Sequence, residues 1–126
     1  MKMTIGVITA AAVGVFLALA PAATAKDGDV LRAGTCTSAS TSKLKLSRED
    51  GGIEVEFEVD QNRNGVRWKV VVVRNGSVVA SRTRVTRGPS GSFELELVTR
   101  NVSGTDRFVA RATRAGETCT ARAAIA

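Results

Sequence analysis

The stretch from Asp60 to Gly65, DQNRNG, carries the opening spacing of a calcium loop, D-x-[DN]-x-[DN]-G. Oxygen-bearing side chains at alternate positions can wrap a hard cation, and the glycine allows the sharp turn such a loop needs. The remainder of the pattern is missing. The twelfth position, where a bidentate glutamate would close the coordination shell, is Val71, and Arg63 puts a positive charge inside the loop. Asp, Asn and Gly also cap turn amides and tolerate positive φ, so the stretch predicts a hairpin-type turn that holds no metal.

Other chemistry is scarce. The chain has no histidine, the usual general base near neutral pH and the commonest metal ligand. A serine nucleophile needs a neighbouring base, and histidine cannot supply one here. Carboxylates recur at Glu54, Glu56 and Glu58, and again at Glu94 and Glu96. A hydrolase pair would require a cleft and one carboxyl with a raised pKa, whereas spacing by two residues describes one wet strand face. No phosphate-cradling glycine motif and no cofactor fingerprint occurs, so no cofactor is expected.

The elements around these residues read as strands. In GIEVEFEVD, Ile53, Val55, Phe57 and Val59 alternate with Glu54, Glu56, Glu58 and Asp60, the period of a sheet with one solvated face. SFELELV, STSKLKLS and VRWKVVVVR repeat the pattern. Asn75-Gly76 is a strong hairpin signal, and SVVASRTRV returns from it as an edge strand whose Arg82 and Arg84 discourage edge-to-edge pairing. RFVARATR and TCTARAAI follow, separated by AGE. These runs predict an all-β, seven-stranded antiparallel β-sandwich with Phe57, Trp68, Phe93 and Phe108 in its core.

Seven short strands with a tryptophan on the third resemble the immunoglobulin and fibronectin type III architectures. The pattern departs from antibody domains in two respects: the cysteines fall near the first and last strands, and there is no tyrosine to form a tyrosine corner. The fibronectin type III resemblance implies one sheet from strands one, two and five and another from strands three, four, six and seven. The first would then carry Lys43, Lys45 and the glutamates outward. The second would carry Arg67, Lys69, Arg82, Arg84, Arg107, Arg111 and Arg122, a candidate anion-binding face.

The ends of the chain address its location. Lys2, the apolar run that follows and the small-residue ATA box at 23–25 read as a secretory signal cleaved after Ala25, with a retained membrane anchor as the alternative. Cleavage would leave no membrane span. Residues 26–35, polar and rich in Gly and Asp, read as a flexible arm, and 36–126 as the sandwich domain. Export places Cys36 and Cys119 in an oxidising compartment, where an isolated pair is expected to form a disulfide. The whole chain is similar to small exported proteins of high-GC Gram-positive bacteria.

The 18 Lys and Arg against 12 Asp and Glu favour anionic partners. The expectation is a non-catalytic secreted module contacting anionic envelope polymers or another protein. The alternatives are a structural or stress-related exported protein without a fixed ligand, and a small hydrolase using the surface carboxylates. Nucleic acid is disfavoured, because the few aromatics are needed in the core.

Overall fold

A computed structural model of the chain describes residues 25–126. The secretory segment expected over residues 1–25 lies outside this range except for Ala25. Among the described residues there is no helix, and therefore none long and apolar enough to cross a membrane.

Nine strands among the described residues form two antiparallel sheets. In chain order they are β1 (Val30–Ala33), β2 (Thr35–Cys36), β3 (Thr41–Glu49), β4 (Gly52–Asp60), β5 (Arg67–Arg74), β6 (Ser77–Val85), β7 (Ser92–Arg100), β8 (Asp106–Arg114) and β9 (Glu117–Ile125). The first sheet has the order β1-β3-β4-β7 and the second β2-β9-β8-β5-β6. The seven long strands lie where alternation predicts them, and the partition between sheets is the expected one.

The two additional strands come from the stretch expected to be a flexible arm and from its junction with the domain. Residues 30–33 pair with 43–46 of β3, and Thr35 and Cys36 pair with Thr120 and Cys119 of β9. The chain passes from one sheet to the other at Gly34. A side chain there would collide with the Ser42 hydroxyl and the Thr120 carbonyl, so only glycine fits.

The inner faces of both sheets enclose one core. Leu44, Leu46, Ile53, Val55, Phe57, Val59 and Leu95 from the first sheet meet Trp68, Val70, Val72, Phe108, Ala110, Ala112, Cys119 and Ala121 from the second. All four predicted aromatics are buried. Trp68 and Phe93 pack with ring centroids 5.9 Å apart and a tilt of 54° across the inter-sheet gap. The Asn75-Gly76 turn has positive φ at both residues, as a two-residue hairpin between right-twisted strands requires. Asp50-Gly51 does the same between β3 and β4.

Candidate functional site: two outer faces of opposite charge

Strand register decides which charges reach solvent together. On the second sheet Trp68, Val70, Phe108, Ala110, Ala121 and Ala123 fill the core. Their neighbours Arg67 and Lys69 on β5, Arg107 and Arg111 on β8, and Arg122 on β9 therefore leave the opposite, solvated side. Arg122 pairs with Val109, and Arg107 and Arg111 flank Val109 two positions away on β8. Three guanidinium groups thus surround one valine. Lys69 pairs with Thr113, two residues beyond Arg111, and Arg67 continues the row along β5.

The remaining outward positions are Val, Thr, Ser and Ala, including Val71, Ser81, Thr83, Thr118 and Thr120. Among the described residues no carboxylate shares this face. None of Arg67, Lys69, Arg107, Arg111 and Arg122 takes part in an ion pair among the described residues. A shallow groove of about 420 Å³ is lined by Arg107, Val109, Arg122 and Ala124 of this sheet and by Arg32 of β1.

Arg82 and Arg84 leave their strand from the other side, contrary to the expectation from sequence, although Arg82 still lines a shallow hollow with Arg67 and Lys69. Arg84 pairs with Trp68 and Arg82 with Val70, so both leave β6 on the core-facing side. They avoid burial because β6 is an edge strand, where a long side chain can reach past the rim to water. Their guanidinium groups donate to the carbonyls of the preceding residues, Arg82 to Ser81 at 2.9 Å and Arg84 to Thr83 at 3.1 Å. Arg32 does the same to Leu31 on β1, the edge of the other sheet, at 2.9 Å. These arginines blunt strand edges, a common defence against edge-to-edge pairing.

The outer face of the first sheet has the opposite sign. Lys43, Glu58 and Glu94 lie in one cross-strand row, and Lys45, Glu56 and Glu96 in the next. Lys43 approaches Glu58 at 3.6 Å, while Lys45 lies 3.7 Å from both Glu56 and Asp29. Two lysines thus face five glutamates. Carboxylate oxygens of Glu54, Glu56 and Glu96 come within 4.8 Å of one another. On an open sheet such a trio would leave most of the six or more positions of a calcium shell to water.

The crowding shifts the carboxyls apart. Hydrogen bonding to Glu56, partial burial and then Glu96 push Glu54 up to about 7. Hydrogen bonding to Glu56 also raises Glu96, while burial followed by the charges of Glu56 and Glu58 raises Glu94. Glu56 moves down: burial opposes this, but hydrogen bonds from Glu96 and Glu54 and the nearby Lys45 outweigh it. A carboxyl raised on folding binds its proton more tightly in the native state, so its contribution is present below the ordinary carboxyl range and lost as pH rises through the raised value. Glu54→Gln, which keeps a donor for Glu56, is expected to raise the melting temperature above pH 7. It should also flatten the fall in stability between about pH 4.5 and 7. Denaturant melts across that range check this; an unchanged pH profile would show that Glu54 titrates normally.

The Asp60–Gly65 stretch is a crossover between sheets and not a hairpin, since β4 and β5 lie in different sheets. The Asp60 carboxylate accepts the amide of Asn62 at 3.1 Å, and Asn62 and Gly65 have positive φ. Thr86 holds the loop from β6's far end, donating to the Arg63 carbonyl at 2.6 Å and accepting the Val66 amide at 2.9 Å. Gln61 accepts the indole N–H of Trp68 at 3.0 Å. Val71 lies within β5.

Two Ser-x-x-Lys spacings, Ser40 with Lys43 and Ser42 with Lys45, make no catalytic pair. Three residues along an extended chain separate side chains to opposite faces: Ser42 is buried, while Lys45 forms its ion pairs on the outer face. Ser40 is instead committed to a buried carboxylate that sequence reading missed. Glu117 accepts the Ser40 hydroxyl at 2.7 Å, the Ser40 amide at 3.1 Å and the Arg114 guanidinium at 3.0 Å. The Arg114 guanidinium stands 5.4 Å from the centre of the Trp68 ring. The only available signal was an arginine and a glutamate flanking the two-residue Ala115-Gly116 turn.

Cys36 and Cys119 are joined in a disulfide between directly paired residues, with 4.0 Å between their Cα atoms. Glu117 lies beside them, but the bonded sulfurs offer no thiolate to a metal. The fold and its surfaces define an all-β, disulfide-linked domain of two packed antiparallel sheets with outer faces of opposite sign. Comparison with protein families, curated proteins and solved structures finds no match for the chain.

Proposed function

We propose that this protein is a secreted, non-catalytic interaction module that contacts anionic partners through the outer face of its five-stranded sheet. The carrying observation is that five basic side chains share that face, with no carboxylate on it among the described residues. Arginine suits the task because its planar fork pairs bidentately with carboxylate and phosphate groups. Each exposed contact is weak, under ~1 kcal/mol, so useful affinity comes from several together and falls with salt. The disulfide fits an oxidising compartment and supports secretion. The order β3-β4-β7 in one sheet and β6-β5-β8-β9 in the other supports a fibronectin type III-like arrangement, extended by β1 and β2.

On a phosphorylated or carboxylated polysaccharide matrix, the wild-type protein is expected to be retained at low salt and released by added salt. The combined reversals Arg67→Glu, Arg107→Glu and Arg111→Glu should abolish retention. Reversing Glu54, Glu56 and Glu96 to Lys should not weaken it. Equal behaviour of the two triple variants would reduce the basic face to a solvated surface.

A further inference from the structure

The two outer faces are each other's complement. One sheet carries Arg67, Lys69, Arg107, Arg111 and Arg122 without acid. The other carries five glutamates against Lys43, Lys45 and, at the end of β7, Arg100. Both lysines are already engaged, Lys43 with Glu58 and Lys45 with Glu56 and Asp29, which leaves Glu54, Glu94 and Glu96 without an ion-pair partner among the described residues. These are the carboxyls that hydrogen bonding to Glu56 (Glu54 and Glu96) and burial (Glu94) push above their ordinary range, so an arriving guanidinium would meet groups whose ionised form it stabilises.

We infer that the basic face of one copy docks on the acidic face of a second copy, so that the sandwiches stack head to tail. This rests on the reading of the basic face as an anion-contacting surface and names one partner for it. The two faces lie on opposite sides of the domain, with the core between them. A contact between unlike faces is heterologous: each added copy presents a fresh acidic face at one end and a fresh basic face at the other. Association therefore has no built-in stop at a dimer. Net positive charge opposes stacking at long range, while the facing rows attract at short range. Moderate salt weakens both, and high salt removes the attraction.

The geometry supplies a specific test. Lys69 lies on the outer side of one sheet, while Glu54 and Glu56 lie on the outer side of the other, on the interior strand β4. Within one copy the core separates them, so a direct amide between Lys69 and either glutamate must join two copies. Carbodiimide coupling at ~20 mM salt, where the Debye length is roughly 20 Å, followed by peptide mapping, is expected to yield Lys69 joined to Glu54 or Glu56. At ~1 M salt, with a Debye length of about 3 Å, that product should disappear. The Lys26–Glu49 pair, at 2.6 Å within one chain, should still couple and serves as the internal control.

Sedimentation of the purified protein should show an average mass that keeps rising with concentration at low salt, and a monomer at high salt. The Arg67, Arg107 and Arg111 reversals and the Glu54, Glu56 and Glu96 reversals should each give monomers alone. Mixing them should restore association, which also shows that both have folded. A monomer at all salts, or association indifferent to the Glu54 reversals, overturns the inference. If that protein is still retained on the anionic matrix, the stacking inference fails while the anion-contacting face stands. Loss of matrix retention with stacking intact would restrict the face to its own copies.

Discussion

Reducing the Cys36–Cys119 disulfide is expected to lower the melting temperature by roughly 15–30 °C. The bond closes a loop across 83 residues of sequence, nearly the whole domain. Chain entropy alone assigns such a link about 4 kcal/mol, against a total stability on the order of 5–15 kcal/mol for a single domain. Local structure adds to the effect. β2 is two residues long and pairs only with β9, so without the link little holds it in place. Thermal melts with and without reductant, repeated on the Cys36→Ala/Cys119→Ala double variant, measure this. A shift below about 5 °C would mean that the sheets carry the stability and the bond adds little.

Glu117→Ala is expected to cost about 3 kcal/mol, because it strips a half-buried guanidinium of its partner and orphans two Ser40 donors. Burial favours a raised pKa for Glu117. The hydrogen bonds from the Ser40 hydroxyl and amide, and then Arg114, outweigh it and hold the carboxyl below its ordinary range. The stabilisation is therefore complete above the ordinary carboxyl range and is lost as pH falls through the lowered native value. Wild-type protein should lose stability in acid, and the variant should lose less over the same range. A double-mutant cycle with Arg114→Ala separates the pair from its parts. Additive losses would show that the two residues do not act together. Urea denaturation at pH 7 and at pH 3 gives both readings.

The long strands were legible because one face of each is wet, and period-two alternation then writes the register into residue type. β4 runs over the residues that its alternation marks, 52–60, and β6 over the run that the Asn75-Gly76 turn sets off, 77–85. β1 and β2 were not legible: they are short, and most of their residues are exposed, so burial imposes no pattern. Arg82 and Arg84 were misplaced for a related reason. Charge at alternate positions signals the solvent side only where the other side is covered, and the rim of an edge strand leaves both sides wet. Glu117 and Asp106 are the reverse case, acidic residues that belong inside. Their partners, Ser40 and Arg114 for one and Arg74 and Asn75 for the other, come from separate parts of the chain or from across a turn. No local pattern announces a carboxylate whose compensation is assembled by the fold. The opposite signs of the two faces followed from the assignment of strands to sheets, and the vacant carboxylates among the glutamates required the register itself.

The position of the disulfide also decides how the domain would respond to being pulled. Tension applied to the chain before Cys36 and after Cys119 passes through the sulfur–sulfur bond and bypasses the strands between them. The chain between the cysteines spans 83 residue steps, roughly 290 Å when fully drawn out, and that length stays locked while the bond is intact. Under load, β1 can peel from β3 and the last residues of β9 can fray, but the sandwich itself cannot be unravelled from its ends. A tether built from this domain would be nearly inextensible when oxidised and long and compliant when reduced.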